Sequence, residues 1–187
     1  DVGVAVISGT DTMVVNGDSY YPLMSVFKLH VAVAVLDMAD RGLLSLDSII
    51  DITPRMFREN TYSPLRDIAA GRTVSKTVAE LLYYSVAKSD NNACDFLIDL
   101  AGGIADVDSV VHAKGIGDVT LCETEDSMHR DIKRSYNNAS TPLSLSRMMS
   151  EVFAGRMLSA ENTNVLLGLL GGSTTGRDKI YGGVPED

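Results

Sequence analysis

The chain has 187 residues, 45% hydrophobic and 22% charged, the balance of a globular fold and not of a disordered segment. Twenty-five acidic residues against 16 basic ones leave a net charge of −9, and without clustered Lys and Arg a nucleic-acid partner is excluded. The apolar run Val31 to Leu36 is far shorter than the ~20 residues a membrane span needs, so no membrane segment is expected either.

Val2, Val4 and Val6 alternate with smaller residues, Gly9-Thr10-Asp11 supplies turn chemistry, and Met13-Val14-Val15 runs into Asn16-Gly17-Asp18, which predicts a β-hairpin. Beyond Pro22, an apolar run predicts a helix from about Ser25 to Asp40, buried on nearly every side and stopped at Arg41-Gly42. Between Ser45 and Ala70, Pro54 and Pro64 interrupt any period, and the stretch reads as loop with short helical turns. Thr77 and Glu80 form a capping box for a helix to about Ala87. Ser89-Asp90-Asn91-Asn92 breaks it, and Asn92 is read as the cap of a helix ending at Gly102-Gly103. A short helix through Val107, Val110 and Val111 ends at Gly115. Residues Cys122 to Ser140 are polar, charged and aperiodic, long enough to be a functional loop or a disordered one. Thr141-Pro142 starts a helix to Phe153, and Ser159 caps the last one, to Gly171-Gly172. The tally is one hairpin and about six helices. Two strands cannot cover the faces of so many helices. Cys94 and Cys122 are expected to be two buried free thiols.

Four features bear on chemistry. Ser25 and Lys28, three apart on a helix, share a face, so an amine can reach a hydroxyl and activate it; a helix cap followed by a snorkelling lysine is the alternative. Ser89-Asp90-Asn91 between two helices is either chemistry or ordinary capping. Glu125 lies in an acidic loop, Glu123 to His129, of a kind that is mostly solvated. Tyr62, in Tyr62-Ser63-Pro64, can wall a pocket or cover core. No cofactor or metal is called for.

Taken in order, S-x-x-K at Ser25–Lys28, Tyr62-Ser63-Pro64, Thr77 to Leu82, S-D-N at Ser89–Asn91, Gly102-Gly103, the acidic loop, Thr141-Pro142 and Thr174 to Ile180 make the chain resemble a class A serine β-lactamase. The resemblance implies a two-lobed α+β fold: a hairpin of the α/β lobe at residues 1–20, a helical lobe at 21–175 and the return to the α/β lobe at 176–187. It implies that Ser25 attacks a β-lactam carbonyl, activated by Lys28 or by Glu125 through water. Ser89 would pass a proton to the leaving nitrogen, Asn91 would bind the acylamide side chain, Tyr62 would wall the cleft, and Asp90 would bond local backbone. Glu125, preferred over Glu123, would activate the deacylating water. A periplasmic or secreted monomer acting on a small-molecule β-lactam is expected. The rivals are a penicillin-binding transpeptidase or carboxypeptidase, and a non-catalytic sensor.

Two departures stand out. The Arg–Asp pair that closes the deacylation loop in familiar members is not evident, since Glu123 and Asn137 or Asn138 fall there. His129 replaces a usual asparagine. Both features resemble the branch with a rearranged loop and broad cephalosporin activity. No K-T-G occurs, and Lys76-Thr77-Val78 reads as a helix start. The resemblance implies an opening helix before Asp1, and three further strands and a closing helix after Asp187. The first of those strands would carry K-T-G and one oxyanion-hole donor, beside the backbone N–H of Ser25.

Overall fold

The computed structural model describes residues 1–176. Strands β1 (Val4–Ser8) and β2 (Asp11–Val15) pair antiparallel, Val4 opposite Val15 and Ser8 opposite Asp11. Gly9, at φ +59°, takes the left-handed conformation that a two-residue hairpin loop demands. Then follow β3 (Tyr21–Pro22), a 3₁₀ turn at Met24–Val26, and α1 (Phe27–Asp40). Strand β4 (Ile49–Ile52), helix α2 (Pro64–Ala69), strand β5 (Val74–Thr77) and helix α3 (Val78–Leu82) come next, and α3 widens into a π-helical turn, Tyr83–Ala87. The remainder is α4 (Asn91–Leu100), α5 (Ile104–Ala113), β6 (Val119–Thr120), α6 (Glu125–Arg130), β7 (Ala139–Ser140), α7 (Pro142–Phe153) and α8 (Ala160–Gly171).

Helix α1 is the axis. Every residue from Phe27 to Leu36 is buried, because the helix packs on α4, α5 and α8 together. Val31, Val33, Val35 and Leu36 sit in one core with Leu81, Leu82, Leu97, Val107, Val111, Met148 and Leu166. Each such side chain contributes on the order of 1.5–3 kcal/mol relative to exposure. Helix α7 backs the hairpin, where Ser146 Oγ donates to the carbonyl of Ala5 at 3.0 Å. The other hairpin face carries exposed Val4, Val6, Met13 and Val15.

The hairpin and all six anticipated helices are present. Several expectations need correction. Val26 is exposed, so the burial of the central helix begins one residue later, at Phe27. The stretch Ser45–Ala70 holds strand β4, paired with β5 so that Ile49 faces Thr77 and Ile52 faces Val74. Lys76 and Thr77 therefore end a strand, and only Val78 begins the helix. Asp90, not Asn92, caps α4, because its carboxylate accepts from Ala93 N at 2.9 Å. Asn92 instead turns inward, its Oδ1 accepting from Arg58 N at 2.7 Å and its Nδ2 donating to Arg58 O at 3.2 Å. The supposed loop 122–140 contains α6 and β7, and β7 joins β3 and β6 in a three-stranded sheet. Both cysteines are free, but only Cys94 is buried; Cys122 is exposed. The anticipated return to the α/β lobe lies, from Arg177 on, outside the described residues.

His30 carries a consequence for stability. It is 1% exposed, and its Nδ1 has no hydrogen-bond partner. Burial pushes its pKa from 6.5 down to about 4, against the opposing pull of the nearby Val26 and Phe27 backbone and of the Asp108 charge. The unfolded chain therefore binds the extra proton between pH 6.5 and 4, and the stabilisation present above pH 6.5 is lost as the pH falls through that window. The expected loss is about 3 kcal/mol, or roughly 6–12 °C in Tm. Replacing His30→Leu removes it, so the difference in Tm between variant and parent should grow from pH 7 to pH 4. Parallel melting curves at every pH would rule His30 out as the responsible group.

Candidate active site

Three chain segments meet at the amino end of α1. The first is the 3₁₀ turn before the helix. Met24 sits at φ +47°, a strained value for a side chain of its size, and the turn leaves Ser25 exposed one helical turn ahead of Lys28. The second is the junction between the π-helical turn and α4. Ser89 is also left-handed, at φ +55°, and its strain is sustained by what surrounds it. The fully buried Asp90 carboxylate accepts from Leu65 N at 2.7 Å, from Ser63 Oγ at 2.9 Å and from Ala93 N. It thus ties the start of α2 to the start of α4. Asn91 N donates to the Tyr62 carbonyl at 3.1 Å and fixes the same corner. Burial raises the Asp90 carboxyl against these donors and the charge of Lys28.

The third segment is the loop carrying α6. Thr124 and Ser127 form a capping box at its start, and Glu125 is its first residue. Below it, Asp95 of α4 accepts from Glu125 N at 2.8 Å and from Asp126 N at 2.9 Å, one oxygen to each. A six-residue helix is marginal alone, so these two bonds decide where it sits. Burial pushes the Asp95 pKa up to about 7, against its two donors, and the neighbouring Glu125 and Asp126 charges add to the rise.

Lys28 is where the segments converge. Its side chain is 3% exposed, and its Nζ lies 3.5 Å from Ser25 Oγ, 3.2 Å from Ser89 Oγ, 2.7 Å from the Ser89 carbonyl and 2.6 Å from Asn91 Oδ1. Glu125 Oε1 stands 2.9 Å from the same nitrogen, as a charge contact without aligned hydrogen-bond geometry. Asn91 is engaged at both ends of its amide, its Nδ2 donating one hydrogen to Thr61 Oγ1 at 2.7 Å. The cleft beside these groups, about 190 Å³, is lined by Met24, Ser25, Asn91, Glu125, Met128, His129, Ile132 and Ser135.

Of the residues singled out in the sequence, Ser25, Lys28, Ser89, Asn91 and Glu125 come together, and His129 joins them on the cleft wall. Tyr62 does not line that cleft; its ring is exposed and its carbonyl holds Asn91. Sequence reasoning missed Thr61, Asp95 and the inward role of Glu123. Asp95 lies four residues after Asn91, on the same helix face, and that spacing was an available signal.

The mostly helical frame that brings these groups to one cleft is shared with known proteins. The chain belongs to the β-lactamase enzyme family, within class A: the family model matches residues 1–187. A β-lactamase of Bacteroides uniformis is 40% identical over 190 residues, covering 98% of this chain and 63% of that protein. The extended-spectrum β-lactamase PER-1 of Pseudomonas aeruginosa is 32% identical, covering 98% of this chain and 60% of that protein. The crystal structure of a class A β-lactamase from Bacteroides cellulosilyticus superposes with a TM-score of 0.92 at 39% identity, covering 99% of this chain and 67% of that one. The chain thus spans less than two thirds of the curated relatives' length.

Asp95 allows a test of the site's electrostatics. Its folded pKa lies above the ordinary 3.8, so the folded chain holds the extra proton between pH 3.8 and about 7, and stability falls as the pH rises through that window. The sign is opposite to that of His30. Asp95→Asn loses one acceptor at every pH but also loses the pH-dependent cost. Its Tm relative to the parent should therefore climb from pH 5 to pH 8, and a difference independent of pH would refute the assignment.

Proposed function

We propose that the protein opens the amide of penicillins and cephalosporins through an acyl-enzyme on Ser25. The alignment of Ser25 Oγ, Lys28 Nζ and Glu125 Oε1, at 3.5 and 2.9 Å, is the observation that supports this most. Ser25 Oγ attacks the ring carbonyl, forming the C–O bond while its proton passes to Lys28 or, through water, to Glu125. As the C–N bond breaks, Ser89 gives a proton to the ring nitrogen, replenished from Lys28 at 3.2 Å. Asn91 Nδ2, whose second hydrogen is not used by Thr61, binds the acylamide carbonyl, with His129 on the cleft wall beside it. Glu125 then deprotonates the water that attacks the ester carbon, and Ser25 is released.

A base must be uncharged if it is Lys28 and ionised if it is Glu125. At 2.9 Å a proton taken up by either group changes the field at the other, so the first step is a property of the pair. One relative is named an extended-spectrum β-lactamase, which supports a substrate range wider than a single β-lactam. A monomer in the periplasm or outside the cell, without cofactor or metal, is the form in which we expect it to act; among the described residues no helix is long and apolar enough to cross a membrane.

The decisive variant is Glu125→Gln in the full-length protein. Deacylation should slow on the order of 10²–10⁴-fold, so that mass spectrometry finds a stable adduct of the β-lactam on Ser25. Unchanged turnover removes Glu125 from the mechanism; no adduct, together with full activity of Ser25→Ala, removes the reading. The polypeptide 1–187 by itself should turn over no nitrocefin, since the exposed apolar face of β1 and β2 is left uncovered by any described residue. Measurable turnover by that purified polypeptide would overturn this expectation.

A further inference from the structure

Glu123 stands two residues before Glu125, yet it faces away from the cleft. It is 4% exposed, and both carboxylate oxygens are occupied. Oε1 accepts from Asn137 Nδ2 at 2.8 Å; Oε2 accepts from Ser127 Oγ at 2.5 Å and from Arg134 Nε at 2.8 Å. Burial raises its pKa, but the donors from Ser127, Asn137 and Arg134 together outweigh burial and hold it below the usual carboxylate value. An ionised acid held by three donors is a poor base. It is well suited to holding things.

What it holds is the loop. The fully buried Asn138 completes the closure: its Oδ1 accepts from Cys122 N and Glu123 N, each at 2.9 Å, and its Nδ2 donates to the Glu123 carbonyl at 2.9 Å. The ends of the segment 122–138 are thereby joined side chain to backbone. Ser127, which also caps α6, links the Glu123 carboxylate directly to the helix on which Glu125 is the first residue. Moving Glu123 moves that cap.

We propose that Glu123 is a positioning residue: held by Arg134, Asn137 and Ser127, its buried carboxylate latches the loop shut and sets Glu125 against Lys28 for the deacylation step. The proposal rests on the function given above. Glu123 is not a catalytic residue, because it touches neither the cleft nor Lys28.

The test uses the full-length protein with Glu123→Ala, Glu123→Gln and Arg134→Ala, each alone and in the Glu125→Gln background. Pre-steady-state kinetics with nitrocefin separate acylation from deacylation. Deacylation should slow on the order of 10²-fold in E123A, the scale of a misplaced catalytic group, with acylation within about twofold. It should slow several-fold in R134A, and E123Q should recover part of the loss by keeping one acceptor. In the E125Q background the E123A effect should vanish, because Glu123 acts through Glu125. Amide hydrogen exchange in 122–138 should rise at least ~10-fold in E123A while α1 and α4 stay protected. Arg134 is half exposed, so R134A answers the question even if E123A does not fold. Equal losses in acylation and deacylation, a persistent effect in the E125Q background, or exchange rising throughout the chain would each overturn the latch. A parent protein inert toward every β-lactam would instead overturn the function, and exchange would then judge the latch alone.

Discussion

The structure depends on keeping one ammonium group, that of Lys28, almost entirely out of water. An isolated charge at such depth costs several kcal/mol even after relaxation, and the protein offsets that cost with a carboxylate and four further oxygens drawn from three separated segments. Each segment is then constrained by what Lys28 needs. The turn before α1 must present Ser25, the α4 junction must aim Ser89 and Asn91, and the α6 loop must return Glu125 to the same point. The apolar core around α1 gives the lysine its depth, and the polar corner above gives it partners.

Three more carboxylates do structural work around that point, and their environments differ in an instructive way. Asp90 and Asp95 are raised because burial outweighs the donors they meet, whereas Glu123 is lowered because its donors, including the charged Arg134, outweigh burial. All three connect elements distant in sequence: Asp90 joins α2 to α4, Asp95 joins α4 to α6, and Glu123 closes the loop on itself. The strain at Met24 and Ser89 is tolerable only because neighbours on both sides are so fixed.

The helices were legible because their signals are local. A fourteen-residue apolar run, a capping box at Thr77–Glu80 and a Thr-Pro start at Thr141 need no partner to be recognised. Strands β4 and β5 were not legible: each has four residues, and the pairing spans the whole of α2. The two-residue strands β3, β6 and β7 exist only through one another. The Asp90 cap was misassigned by two residues because Asp and Asn are equally good cap types, and which one caps is decided by Ser63 and Leu65, far away in sequence. In the site the same division holds. The short motifs Ser25–Lys28 and Ser89–Asn91 could be read, and the Asn91–Asp95 spacing was there to be read, while Thr61 and Arg134 act through contacts that no local pattern announces.

The acidic loop shows why charge alone misleads. Glu123 and Glu125 are alike in sequence, and both lie in a stretch that reads as solvated. Glu125 is paired with a lysine and borders the cleft; Glu123 is paired with an arginine and is sealed within the loop. Side chains two apart in a segment entering a helix point in different directions, so one residue can anchor the backbone while the other works on the cleft. Asp95 lies below Glu125 and fixes its backbone, while burial and the neighbouring Glu125 and Asp126 charges push its own pKa up to about 7. Its hold on the start of the helix therefore lies in two backbone hydrogen bonds and not in a charge beside Glu125.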